Sequence, residues 1–272
     1  MKTNNYIARR AYFSCGRELK NPLWSDEENR AVFGRDALPH GHDYTLDVFY
    51  SGEMNDYDGM IVNLSDIKPV LNRVLEPLDG AFLNLDLEHF QDARPTLENL
   101  VNFIWQQLPK GLDQAELARV RLQESARLWI DKDEDSMRLT RCYEFAAAHR
   151  LHVPQMSDDD NSRLYGKCNN ANGHGHNYGL EVTIEGEPDV QSGAIISLTQ
   201  LDEIVDREVF ERFDHKHLNN DCPEFEHLVP TSENLARVIF DVLSPKVNGG
   251  ARLVKIGLHE TTKNYFEVEA AR

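Results

Sequence analysis

The chain has 272 residues, 40% of them hydrophobic and 28% charged, and a formal net charge of −17 at pH 7. That length accommodates one large domain or two ordinary ones, and the acidity speaks against a nucleic-acid partner, whose phosphates need a basic face. No apolar run approaches the ~20 residues of a membrane span, MKTNNYIARR lacks the apolar stretch of a secretory signal, and four scattered cysteines make no disulfide framework. The expectation is a cytoplasmic protein with reduced thiols and no membrane partner.

Taken in chain order, the predicted elements occur twice. FGRDALPHGHDYTLDVFYSG from Phe33 returns as YGKCNNANGHGHNYGLEVTIEG from Tyr165. GMIVNLSDI from Gly59 returns as GAIISLTQL from Gly193, and LDGAFLN from Leu78 as FDHKHLN from Phe213. PTLENLVNFIWQQL from Pro95 returns as PTSENLARVIFDVL from Pro230, and RVRLQES from Arg119 as KIGLHET from Lys255. The offsets are nearly constant: 134 from His40 to His174, 135 from Glu98 to Glu233 and 136 from Glu124 to Glu260. A tandem duplication follows, joined near the acidic DKDEDS stretch, with repeats over 1–133 and 139–272.

Each repeat reads as strand, strand, helix, helix, strand, strand. Tyr178 to Ile184 (YGLEVTI) alternates as a half-buried antiparallel strand does. Leu198 to Phe210 has apolar residues at helical spacing, and Thr231 or Ser232 is placed to cap the following helix. Leu253 to Leu258 forms a strand that delivers Glu260 at its end. The class is α+β, an antiparallel sheet with helices on one face.

The chemistry concentrates in the second repeat. His174 and His176 alternate on a strand, so both imidazoles share one face, and His149 in FAAAHRL offers a third nitrogen. Three nitrogens leave an open position on zinc for water or substrate. Alone, a His-x-His pair is more often surface or hydrogen-bonded structure; the intervening glycine and the upstream Cys168 add weight. Cys168 lies in an Asn/Gly-rich loop, where a thiol near a dication acquires a lowered pKa and can act as a base. Cys142 and Cys222 read instead as small buried hydrophobes. Asp214–His215 supplies a carboxylate and an imidazole for a relay, although such pairs are common by chance. Glu260 can accept two parallel hydrogen bonds from a flat heterocycle; otherwise it is an exposed strand-end charge. For Thr231, helix capping is the better reading.

In combination, FAAAHRL, YGKCNNANGHGHNY, FDHKHLN, PTSEN and HET resemble 6-pyruvoyltetrahydropterin synthase and its relative 6-carboxytetrahydropterin synthase, over nearly all of residues 139–272. The five residues between Cys168 and His174 resemble the pyruvoyl-forming branch. The resemblance implies tandem T-fold units, each a four-stranded antiparallel sheet with two helices. It implies Zn2+ on His149, His174 and His176, Cys168 as general base, and Asp214 and His215 as its relay. Glu260 would anchor the pterin, with Glu233 and Thr231 as further substrate contacts. The implied reaction converts 7,8-dihydroneopterin triphosphate to 6-pyruvoyltetrahydropterin with loss of triphosphate. The alternatives are the 6-carboxy product, on the queuosine route, and a pterin-binding protein without turnover.

The first repeat resembles the same family but departs at the chemical positions. Arg17 stands at the position of His149, Asp36 lies in the cysteine region, and Gly80 replaces the relay histidine. His40 and His42 thus lack an obvious third ligand, for which Cys15 is a candidate substitute. This is a degenerate half, with the option that Glu124 keeps a pterin-binding pocket. In the family, the cysteine and the Asp-His pair come from neighbouring subunits. The expectation is therefore a homo-oligomer: three chains, with a ring of second repeats stacked on a ring of first repeats.

Overall fold

In the computed structural model, which describes residues 5–271, the chain divides into two compact units. One comprises residues up to Thr140 together with Glu185–Thr199; the other comprises Arg141–Ile184 together with Gln200 onward. Residues 185–199, which the repeat assigns to the second half, thus cluster with the first unit. Among the described residues, no helix is long and apolar enough to cross a membrane.

In the first unit, β1 (Asn5–Arg17) pairs antiparallel with β2 (His40–Gly52) along its whole length, Asn5 opposite Gly52 and Arg17 opposite His40. The order is β1-β2-β3-β4, with β3 at Ala115–Ser125 and β4 at Leu128–Lys132. Tyr44, Leu46, Val48 and Tyr50 are buried on β2 at steps of two, so one face of the sheet is core. Following α1 (Asp26–Phe33), helices α2 (Leu64–Leu75) and α3 (Leu97–Gln107) lie between β2 and β3 in the chain. Helix α3 buries Leu97, Leu100, Val101, Ile104 and Trp105, the stripe expected of a helix packed on a core. Truncating one of these, such as Ile104→Ala, costs about 2–5 kcal/mol.

The second unit repeats the plan in the order β5-β6-β7-β8, with β5 (Met137–His149) entering it from Arg141. Strand β6 spans His174–Glu185, β7 Arg252–Thr261 and β8 Asn264–Glu269. The expected alternation holds: Tyr178, Leu180, Val182 and Ile184 are fully buried. The helix expected over Leu198–Phe210 begins as α-helix at Leu198–Val205, then widens into a π-helical turn over Asp206–Phe210. Thr231 caps the helix Ser232–Leu243, its Oγ1 accepting from Asn234 N–H at 3.3 Å.

Two short helices, at Asp26–Phe33 and Asp158–Tyr165, are additions to the expected element order. Ser25 and Ser157 cap them, and both end at a glycine in the left-handed region, Gly34 (φ 58°) and Gly166 (φ 53°), where a Cβ is unfavourable. Cys168 consequently sits on a single 3-10 turn, Gly166–Asn169, rather than in an irregular loop. Cys222 is buried as expected, with its thiol pushed up to about 11 by burial. Cys142 is only half-buried.

Candidate active site

Adjacent strands β5 and β6 bring the three second-repeat histidines together. His149 ends β5, while His174 and His176 open β6 on one face. One nitrogen from each lies within 4.8 Å of the others, and His149 Nε2 is 3.3 Å from His174 Nε2. Two ligands held about 2.0 Å from a tetrahedral metal are themselves about 3.3 Å apart, so this spacing fits. The His149 ring is fully buried and its Nδ1–H donates to Pro230 O at 2.8 Å, which directs the Nε2 lone pair into the cluster. Burial lowers the pKa of His149 and of His174, and neighbouring imidazoles lower both further. The rings are therefore held neutral, the form that binds metal. His174 Nδ1 and His176 Nε2 are buried without a hydrogen-bond partner, a costly state unless another group is accommodated. This cluster can hold a divalent cation.

Glu260, at the end of β7, forms one side. Its Oε1 accepts from Ser232 Oγ at 2.8 Å and lies 3.8 Å from His176 Nε2; Oε2 accepts from Asn264 Nδ2 at 3.0 Å. Burial works against the charge, but bonds from Asn264 and Ser232 and the nearby imidazoles outweigh it and hold the carboxyl below its ordinary value. Glu260 is thus a fixed carboxylate rather than a loose strand-end charge. Sequence reasoning missed Ser232 in this role; its counterpart, Leu97, has no hydroxyl to reveal it. Tyr178, also unassigned, closes the buried side, its hydroxyl 3.5 Å from His149 Nδ1. Thr231 turns its hydroxyl to the helix cap, and Glu233, in the same first turn, is exposed.

Cys168 is half-buried, its carbonyl accepting from Leu151 N–H at 2.9 Å. Asp214 Oδ1 accepts from Ala146 N–H at 2.8 Å, and Asp214 Oδ2 meets His215 Nδ1 at 2.9 Å. The His215 backbone has φ 55° and its side chain is 82% exposed. A non-glycine residue in that region costs on the order of 1–3 kcal/mol and is characteristic of functional sites. Among the described residues no hydrogen bond joins Asp214 or His215 to Cys168. The expected relay is therefore not closed within one chain.

The first repeat carries different groups at the equivalent position. Arg17 occupies the position of His149: Nη1 donates to Pro95 O at 2.9 Å, the carbonyl equivalent to Pro230 O, and Nη2 is ion-paired with Glu124. Both side chains are buried, so the guanidinium supplies the positive charge at the centre of the site. Cys15 is buried, with its thiol pushed up to about 12 by burial, and among the described residues it forms no three-ligand group with His40 and His42. Among the described residues His149, His174 and His176 form the one three-ligand group. The pocket beside Glu124, lined by Arg17, Phe33, Glu98, Glu124 and Ile196, has a volume of about 40 Å³. Small-molecule sites usually have roughly 300 Å³ or more, so this pocket is small by comparison.

The family model described as 6-pyruvoyl tetrahydropterin synthase matches residues 6–135 and, a second time, residues 138–271. The chain belongs to this family. It is 42% identical over 126 residues to 6-pyruvoyl tetrahydrobiopterin synthase of Drosophila melanogaster, an alignment covering 46% of this chain and 75% of the fly protein. Identity to the human enzyme of the same name is 40% over 126 residues, covering 46% of this chain and 86% of that one. A solved structure of the Caenorhabditis elegans 6-pyruvoyl tetrahydropterin synthase is 37% identical, with a TM-score of 0.46, and aligns over 49% of this chain and 95% of its own. Family membership of both halves makes the tandem α+β architecture that of two T-fold units.

Proposed function

We propose that the second repeat is the active unit of a zinc-dependent lyase that converts 7,8-dihydroneopterin triphosphate to 6-pyruvoyltetrahydropterin. The observation that carries this reading is the convergence of three imidazoles, two of them with unpartnered buried nitrogens, beside a fixed carboxylate. His149, His174 and His176 would hold Zn2+, which as a Lewis acid lowers the pKa of substrate hydroxyls. Glu260 is oriented by Ser232 and Asn264 to accept paired N–H donors from the pterin ring. Cys168, six residues upstream of His174, accepts a proton from a side-chain carbon and returns it to a neighbouring position. Triphosphate departs with the electron pair of its carbon–oxygen bond, so the reaction is an internal redox rearrangement and needs no external oxidant. Asp214 and His215 would assist proton transfer from a neighbouring chain, which accords with the exposed His215 ring. The relatives, named 6-pyruvoyl tetrahydrobiopterin synthases, support the pyruvoyl product.

The test is mass spectrometry of the products formed from dihydroneopterin triphosphate, with and without a chelator. Chelator-sensitive 6-pyruvoyltetrahydropterin is the expected result. A 6-carboxy product with acetaldehyde would keep the site and refute the product assignment; no turnover by zinc-loaded protein would refute the lyase.

A further inference from the structure

The two repeats build the same turn ahead of their histidine strands but furnish it with different side chains. Gly166–Asn169 corresponds to Gly34–Ala37, each a single 3-10 turn. One backbone bond fastens each turn to the segment that follows the first strand of its repeat: Leu151 N–H donates to Cys168 O at 2.9 Å, and Leu19 N–H donates to Asp36 O at 2.8 Å. A second shared pair fixes the residue before that leucine. Arg150 N–H donates to Asn219 Oδ1 at 2.8 Å, and Asn219 Nδ2 donates to Arg150 O at 2.9 Å. Glu18 and Asn84 make the same exchange at 2.9 and 3.0 Å. These bonds belong to the fold, since both repeats have them.

The second repeat adds a side-chain clamp. Arg150 Nε donates to Asn169 O and to Asn169 Oδ1, each at 3.3 Å, and His152 Nδ1–H donates to Asn169 Oδ1 at 3.0 Å. The equivalent residues of the first repeat are Glu18, Lys20 and Ala37. Ala37 has no polar side chain to hold, and Lys20 turns instead to Asp26 at 2.9 Å. The clamp coincides with a looser tether downstream. In the first repeat two residues, Leu38 and Pro39, connect the turn to β2, whereas four, Asn170 to Gly173, connect the cysteine turn to β6. Proline fixes one backbone angle of the shorter connection. The longer one, Asn-Ala-Asn-Gly, has more conformations to lose.

We propose that Arg150 and His152, acting through Asn169, are positioning residues that hold Cys168 in register with the histidine cluster. Arg150 directly follows His149, so the clamp ties the thiol-bearing turn to the strand end that presents a candidate metal ligand. A proton-transfer group must lie within hydrogen-bond reach of the proton it takes, and a misplacement of about 1 Å costs roughly 10²-fold in rate. The first repeat has Asp36 where the second has Cys168, and it has no such clamp. A clamp confined to the repeat that carries the thiol, on a turn that forms without it elsewhere in the same chain, serves the thiol rather than the fold. The inference rests on the assignment of Cys168 as the proton-transfer group.

Asn169→Ala in the full-length chain tests it, because alanine already occupies the equivalent turn position at Ala37 and the turn forms there. With dihydroneopterin triphosphate as substrate, kcat is expected to fall at least about tenfold, with KM and zinc content unchanged. In a Cys168→Ala background the same substitution should leave the residual rate unchanged, an outcome that a merely structural defect does not give. His152→Asn, which keeps a donor at the Nδ1 position, should retain the turnover that His152→Ala loses. A second reading needs no turnover. Alkylation of Cys168 by iodoacetamide, followed by peptide mass spectrometry, should accelerate at least about threefold in Asn169→Ala, because the freed turn exposes a thiol that is otherwise half-buried. A wild-type chain without turnover would remove the lyase assignment, and the alkylation rate alone would then decide the clamp. An unchanged kcat, an equal loss of rate in the Cys168→Ala background, or an unchanged alkylation rate would overturn the proposal.

Discussion

Glu98 connects the fold to a measurable pH dependence. It is 4% exposed in the first-repeat pocket, where burial raises its carboxyl to about 7 from an ordinary 4.5; the N–H of Ile195 and the charge of Arg17 only partly offset this. An acid raised in the folded state binds its proton more tightly there than in the unfolded chain. Stability is therefore undiminished below pH 4.5, falls as pH rises toward 7, and has lost the full increment above that. At about 1.4 kcal/mol for each pH unit of that window, the total is about 3 kcal/mol. Roughly 2.5 kcal/mol of it falls between pH 5 and pH 8. Glu98→Gln retains an oxygen for Ile195 N–H and cannot ionise. Urea unfolding of both proteins at the two pH values should show the wild type losing about 2.5 kcal/mol relative to the variant. An equal difference at both values would refute the assignment of a buried, late-titrating carboxyl to Glu98.

Three further outcomes are expected. Cys168→Ala should lower turnover by about 10²-fold or more while leaving zinc content, measured by elemental analysis, unchanged; loss of zinc would place the thiol among the ligands instead. Arg17→His puts an imidazole beside Pro95 O and next to His40 and His42, so the metal content per chain should double, and an unchanged content would refute a simple lost-ligand account. Arg17→Met leaves Glu124 buried without its partner and should destabilise the first unit by about 3–5 kcal/mol in thermal or urea unfolding; a shift below about 1 kcal/mol would mean that Glu124 finds another cation or takes up a proton.

Much of the protein was determined by the sequence by itself. The duplication, the strand–strand–helix–helix–strand–strand order and the pairing of His174 with His176 follow from spacing along the chain, because strand alternation and helical periodicity are local properties. The clustering of His149, His174 and His176 and the change of His149's counterpart to Arg17 were legible for the same reason. What the spacing left open depended on groups distant in sequence. Only the tertiary structure set Arg17 on Pro95 O and Glu124, a buried cation at the position equivalent to His149. It also left Cys15 outside any three-ligand group among the described residues and recruited Ser232 to orient Glu260. The engagement of Gly193–Leu198 by the first unit depends on long-range hydrogen bonds to Thr96 and Glu98. Such bonds form between backbone groups that every residue carries, so no pattern of side chains along the chain announces them.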